Sequence, residues 1–152
     1  MDGNARQAAV AALAELGRGR DYRDRADAGR ALAGFAELPE ACGPLLALVL
    51  DADDTFVTRA TTQALLRRND PAGLTVVASA PAVADDNHGD WIHTAVVDVF
   101  GVFADDRDDA LRLCEELSRA ADGRVALGAG RLRDSLAGID PALGPAAARD
   151  GR

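Results

Sequence analysis

The chain has 152 residues, the size of one domain and long enough to bury a hydrophobic core. Hydrophobic residues make up 48% but aromatic ones only 4%, a balance of small apolar side chains that suits packed helices rather than strands. With 25 acidic residues against 17 basic ones, all of them Arg, the net charge of −8 repels phosphate backbones and anionic lipid, so neither nucleic acid nor a membrane is an expected partner.

From the N-terminus, Met1-Asp2-Gly3-Asn4 lacks a basic region followed by an apolar run. No stretch approaches the roughly 18 apolar residues of a membrane span, and a cytoplasmic protein is expected. The first predicted helix is Asn4–Leu16, and the second carries the stripe Asp24, Ala28, Ala31, Leu32 and Phe35. Glu40–Leu50 follows, with Cys42 read as a small buried hydrophobe. The fourth helix bears Val57, Thr61, Ala64 and Leu65. Pro71–Ala80 is the fifth, with Asp70 as its N-cap and Pro71 in its first turn. The sixth carries Ile92, Val96, Val99, Phe100 and Phe103 and is expected to begin after a turn containing His88 and Gly89. Asp108–Ala121 is the seventh, capped by Asp108 or Asp109 and holding Cys114, also read as structural. The eighth carries Val125, Ala129, Leu132, Arg133 and Leu136.

Offsets of zero, four, seven, eight and eleven trace one face of an α-helix. The anchors Asp24, Val57, Ile92 and Val125 lie 33, 35 and 33 residues apart, room for two helices and two turns per copy. After Ile139-Asp140-Pro141 the chain turns rich in Pro, Gly and Ala, so one domain over 1–139 and a flexible tail over 140–152 are expected.

The run from Pro44 through Leu50, the Asp51/Asp53/Asp54 turn, and then Val57-Thr58-Arg59 with Thr61, Ala64 and Leu65 resembles a HEAT repeat. That family pairs an apolar first helix and an Asp-containing turn with a second helix carrying Val-Arg and small residues. The resemblance covers about residues 4–138 and implies an all-α fold: a short right-handed α-solenoid of about four helical hairpins. Asp24 and Arg133 stand at nominally apolar positions, and Arg59 is one place later than the family's usual Arg. Terminal copies that cap a stack are atypical in this way.

Three acidic clusters stand out: Asp51/Asp53/Asp54, Asp85/Asp86/Asp90 and Asp105/Asp106/Asp108/Asp109. None has the spacing of an EF-hand loop, and at helix starts carboxylates cap N–H groups and complement the helix dipole. No metal or other cofactor is therefore expected. The Arg25, Arg30, Arg59, Arg67 and Arg68 run is read as partners for turn aspartates and helix C-termini rather than a phosphate-binding groove. Neither a Gly-x-x-x-x-Gly-Lys loop nor a Gly-x-Ser-x-Gly elbow is present, nor the His-Glu dipeptide of HEAT-like metal enzymes. Ser79, Ser118 and Ser135 have no recognisable His base.

The expected function is thus non-catalytic: a protein-interaction module, adaptor or scaffold. A HEAT-like solenoid implies that the second helix of each hairpin lines a concave side. The face opposite the buried stripe selects Arg30, Arg59, Gln63, Thr94, Asp98, Arg131 and Asp134 as partner-binding residues. One alternative is an inhibitor or immunity-type protein that neutralises a basic partner through its acidic turns. An enzyme would need a pocket converging on His88, Asp90 and His93, the cluster around Trp91.

Overall fold

A computed structural model describes residues 1–145. Among them lie eight helices: α1 (Gly3–Leu16), α2 (Tyr22–Ala33), α3 (Pro39–Val49), α4 (Thr55–Arg67), α5 (Pro71–Ser79), α6 (Asp86–Phe100), α7 (Ala104–Leu117) and α8 (Gly123–Ala137). None is long and apolar enough to cross a membrane. The acidic turns explain most of the starts. Asp2, Asp21, Asp54, Asp70, Asp85 and Asp122 are N-caps whose carboxylates accept the backbone N–H of Ala5, Arg23, Phe56, Gly73, His88 and Arg124. Each such cap contributes about 1 kcal/mol. The helix α3 starts instead on Pro39, which lacks one of the first-turn N–H groups, and Leu38 before it offers no side-chain cap.

Burial of one stripe per helix sets the packing. The helix α4 packs between α2 and α6, while α3 touches α1 and α5, and α5 touches α7. Leu32, Leu45, Leu65, Leu66, Leu74, Phe100 and Leu136 are fully enclosed in the shared core. Small residues permit two close approaches. A β-carbon on Gly29 of α2 would stand 2.0 Å from Thr61 Oγ1 of α4, and one on Gly128 of α8 would stand 1.7 Å from the Ala78 carbonyl oxygen of α5. This second approach draws α8 mainly onto α5 and α7, and it touches α6 less.

The predicted stripes hold on α4, α6 and α8 at Val57, Ile92 and Val125, and three details differ. On α2 the buried positions are Arg25, Ala26, Ala28, Gly29, Leu32 and Ala33, whereas Asp24 and Ala31 are exposed, so the stripe begins one residue later than expected. Phe103 is 52% exposed because the chain leaves α6 at Phe100. Cys42 is exposed and only Cys114 is buried, where the apolar surroundings push the thiol up to about 11. Two helix starts also move. The first turn of α6 already contains His88 and Gly89, because Asp85 caps it. The helix α7 begins at Ala104, which places Asp108 and Asp109 inside it rather than at its cap.

Arg25 is buried because it has partners for every polar edge. Its Nε and Nη2 donate to Asp51 at 2.7 and 3.2 Å, and its Nη1 donates to the carbonyls of Gly19 and Arg20 at 3.2 and 2.8 Å. Asp51 also accepts the backbone N–H of Asp53 and Asp54, closing the α3–α4 turn. Burial alone would push the Asp51 carboxyl up, but the guanidinium and these two N–H groups outweigh it and hold it below its usual range.

The core of α4 contains an opposite case. The hydroxyls of Thr58, Thr61 and Thr62 are buried and have no hydrogen-bond partner among the described residues. A buried unpaired hydroxyl is unfavourable, and removing it while keeping the branched shape relieves the penalty. Thr62→Val is therefore expected to leave stability unchanged or raise it by about 1 kcal/mol in urea unfolding. A loss of that size would mean the hydroxyl is satisfied.

Beyond α8, Arg107 Nη1 donates to the Ile139 carbonyl at 2.7 Å. The N–H groups of Ala142 and Leu143 then donate to the carbonyls of Gly101 and Val102 at 3.0 and 2.8 Å, and Ala104 N–H returns a bond to Leu143 at 2.9 Å. The segment expected to be a flexible tail therefore starts with backbone pairing at 142–143. The remainder of that expectation, 146–152, lies outside the described residues.

Candidate functional site

Three of the seven residues selected from sequence meet directly. Arg59 and Gln63 stand one turn apart on α4, and both donate to Asp98 Oδ2 of α6, at 2.7 and 2.8 Å. The Arg59 hydrogen bond, opposed by partial burial and aided by Gln63 and the nearby charge of Arg67, holds the Asp98 carboxyl below its usual range. Thr94 lies one turn before Asp98, and its hydroxyl donates to the Asp90 carbonyl at 2.9 Å.

Arg30 joins the same surface by a different route. It pairs with Asp27 at 3.0 Å, and its guanidinium lies 5.5 Å from the centre of the Phe56 ring on α4. Phe56 meets Tyr22 of α2 edge to face, with centroids 5.8 Å apart. Farther along, the Arg59 guanidinium sits 6.0 Å from the Trp91 ring of α6. Tyr22, Phe56 and Trp91 with Arg23, Arg30 and Arg59 thus form a run of rings and guanidiniums across α2, α4 and α6. Tyr22 and Phe56 are 38% and 45% exposed, so these aromatics are presented to solvent rather than spent on the core. The sequence reading did not single out Tyr22 or Phe56, and it placed Trp91 only within the His88, Asp90 and His93 cluster. The available signal was that Phe56 and Trp91 each stand immediately before an anchor, Val57 and Ile92.

Arg131 and Asp134, both on α8, stand apart from this cluster. Arg131 donates to the Pro81 carbonyl at 3.1 Å, and Asp134 lies 3.4 Å from Arg133. Because α8 leans onto α5, a cleft of about 340 Å³ opens between it and the start of α6. Asp86, Asp90, His93, Arg131 and Ser135 surround it, over a floor of Ile92, Val96 and Leu132.

His88 does not line that cleft, so the His88, Asp90 and His93 constellation is not assembled. Its Nδ1 faces Asp85 Oδ1 at 2.7 Å, and its Nε2 faces the Asp51 carbonyl at 2.8 Å, with the side chain 14% exposed. Two acceptors can both be satisfied only by the doubly protonated ring. The Asp51 carbonyl, opposed by partial burial and aided by Asp85, therefore raises the His88 pKa above its ordinary 6.5. A raised folded value means the stabilisation is complete below about pH 6.5 and is lost as pH rises through that folded value. The melting-temperature advantage of the native chain over His88→Gln is expected to be larger at about pH 5.5 than at about pH 9. An advantage that does not change with pH would contradict the two-acceptor geometry.

No family model matches the chain, and no curated protein matches it. Among solved structures, it is similar to the crystal structure of an engineered protein from the Northeast Structural Genomics Consortium, at 20% identity and a TM-score of 0.34. The match covers 84% of this chain and 62% of that one, so this chain spans less than two thirds of that protein's length.

Proposed function

We propose that this chain is a non-catalytic protein-interaction module of the cytoplasm, built as a short right-handed HEAT-like α-solenoid of about four hairpins. Its partner surface is the concave side lined by α2, α4 and α6. The observation that supports this reading is the run of exposed Tyr22 and Phe56 and half-buried Trp91 interleaved with Arg30 and Arg59. Aromatic residues and Arg are the types enriched where partners bind tightly, because they offer large contact area with a polar tip. The Arg59–Asp98–Gln63 hydrogen bonds keep this surface rigid before any partner arrives, which lowers the ordering cost of association. The neighbours α2, α4, α6 and α1, α3, α5, α7 follow the alternation of stacked hairpins, and α8 departs from it by packing on α5 more than on α6.

The test is capture of partners from the native cell by the full chain and by Arg59→Ala, Gln63→Ala and Asp98→Ala, each checked for native helicity. Loss of the same captured protein in at least one of these, with retention by Arg112→Ala on α7, is the expected result. Undiminished capture by all three variants would sink the assignment of this face.

A further inference from the structure

The ring of His88 joins two parts of the fold that lie 37 residues apart in the chain. It stands in the first turn of α6 with an acceptor at each nitrogen. Nδ1 faces Asp85 Oδ1, the cap of its own helix, at 2.7 Å, and Nε2 faces the Asp51 carbonyl of the α3–α4 turn at 2.8 Å. Asp85 Oδ1 also accepts the His88 backbone N–H at 2.8 Å, so one carboxylate oxygen fixes both the helix start and the ring. Asp51 in turn accepts the N–H groups of Asp53 and Asp54 and the guanidinium of Arg25. A line of hydrogen bonds therefore runs from the carbonyls of Gly19 and Arg20 through Arg25, Asp51 and His88 to the start of α6.

The charged groups that act on the ring are Asp85 beside it and Asp51 across from it, and both favour the imidazolium. Arg25 of α2 is spent on Asp51, while Asp86 and Asp90 of α6 line the neighbouring cleft. Of the other helices packed on α6, α4 commits Arg59 to Asp98, and α8 commits Arg131 to the Pro81 carbonyl. The helix α7 brings Asp106 near Asp98, toward the far end of α6.

A neutral imidazole has one N–H and cannot donate from both nitrogens. The remaining proton belongs on Nδ1, where the acceptor is a carboxylate and the hydrogen bond is charge-assisted. Nε2 then presents a lone pair to the Asp51 carbonyl, and two acceptors repel each other at 2.8 Å. We propose that His88 is a proton-operated latch between α6 and the α3–α4 turn, closed while the ring carries both protons and opened by loss of the proton on Nε2. Opening frees the Asp51 backbone from α6 but leaves the Asp85 cap in place. The Asp51 carbonyl, opposed by partial burial and aided by Asp85, raises the folded pKa, so opening falls above pH 6.5.

An NMR titration of the isotope-labelled full chain from about pH 5 to about pH 9 tests this, following the His88 ring nitrogens and the exchange protection of the Asp53 and Asp54 amides. The expected result is a His88 midpoint above 6.5, with the neutral ring protonated on Nδ1. Protection of both amides, corrected for the intrinsic pH dependence of exchange, should fall about tenfold across that midpoint, the factor for one hydrogen bond to a charged group. His88→Gln, whose single amide nitrogen cannot reach both acceptors, should show the lower protection at every pH. If that variant fails to fold, Asp85→Asn still decides: it keeps a good helix cap but removes the charge beside the ring, so it should move the midpoint down. Protection that does not change across the midpoint, or a ring still doubly protonated at about pH 9, would overturn the latch. A neutral ring protonated on Nε2 would overturn it as well, since the Asp51 contact would then survive.

Discussion

Arg25→Ala is expected to destabilise the fold by about 3–5 kcal/mol, a large share of the 5–15 kcal/mol that holds a domain of this size together. The substitution leaves Asp51, whose side chain is 7% exposed, as a buried carboxylate without its cation. The carbonyls of Gly19 and Arg20 also lose their donor. The remaining N–H groups of Asp53 and Asp54 answer only part of the charge. Urea unfolding of the native chain and the variant measures the loss directly. The pH dependence has a definite sign: the Asp51 pKa is held low in the folded state, so the stabilisation is complete above its ordinary value of 3.8 and is lost as pH falls through the folded value. The gap between the native chain and Arg25→Ala should therefore be wide at neutral pH and shrink in acid. Arg25→Met with Asp51→Asn, which removes both charges, should be less damaging than Arg25→Ala alone.

Gly128→Ala is expected to cost about 3 kcal/mol, near the upper end for inserting a methyl group into a packed interior. The clash is with backbone: the new β-carbon would stand 1.7 Å from the Ala78 carbonyl oxygen, which cannot swing away as a side chain can. The helices α5 and α8 must separate, loosening Leu132 and Leu136 on α8 and Val77 on α5. Gly130→Ala is the matched control, since nothing lies within 4 Å of its added β-carbon, and Ala is the better helix former. A drop in melting temperature of about 6–12 °C for Gly128→Ala and none for Gly130→Ala is the expected pattern. Equal effects at the two positions would contradict the close α5–α8 contact.

Much of the fold could be read from periodicity because three even-numbered helices carry a largely apolar or small-residue stripe from Val57, Ile92 and Val125. The α2 stripe was displaced by one residue for a tertiary reason. Arg25 is polar by type, and its burial is made tolerable by Asp51, 26 residues away, together with the Gly19 and Arg20 carbonyls. Gly29 carries no apolar signal either, although it marks a close approach of α2 to α4. The helix α7 begins four residues before its expected cap because Phe103, an N-cap without a side-chain acceptor, gives no sequence signal. On the candidate face, Arg59 and Gln63 follow from helical geometry alone, since they are one turn apart. That Asp98 would meet them could not be read, because the register between α4 and α6 is fixed by packing. The aromatic run was hidden for the same reason: singly, Tyr22, Phe56 and Trp91 resemble core residues, and only their cross-helix neighbours reveal a surface.

The central claim, that the α2–α4–α6 face carries the partner, can be tested by hydroxyl-radical footprinting of the chain with and without a captured partner. Large apolar side chains report on solvent access, and Leu127, 55% exposed on α8, which packs mainly on α5 and α7, serves as an internal reference. The expected result is reduced oxidation of Tyr22, Phe56 and Trp91 in the complex with Leu127 unchanged. Protection of Leu127 with undiminished oxidation at the other three would contradict the claim.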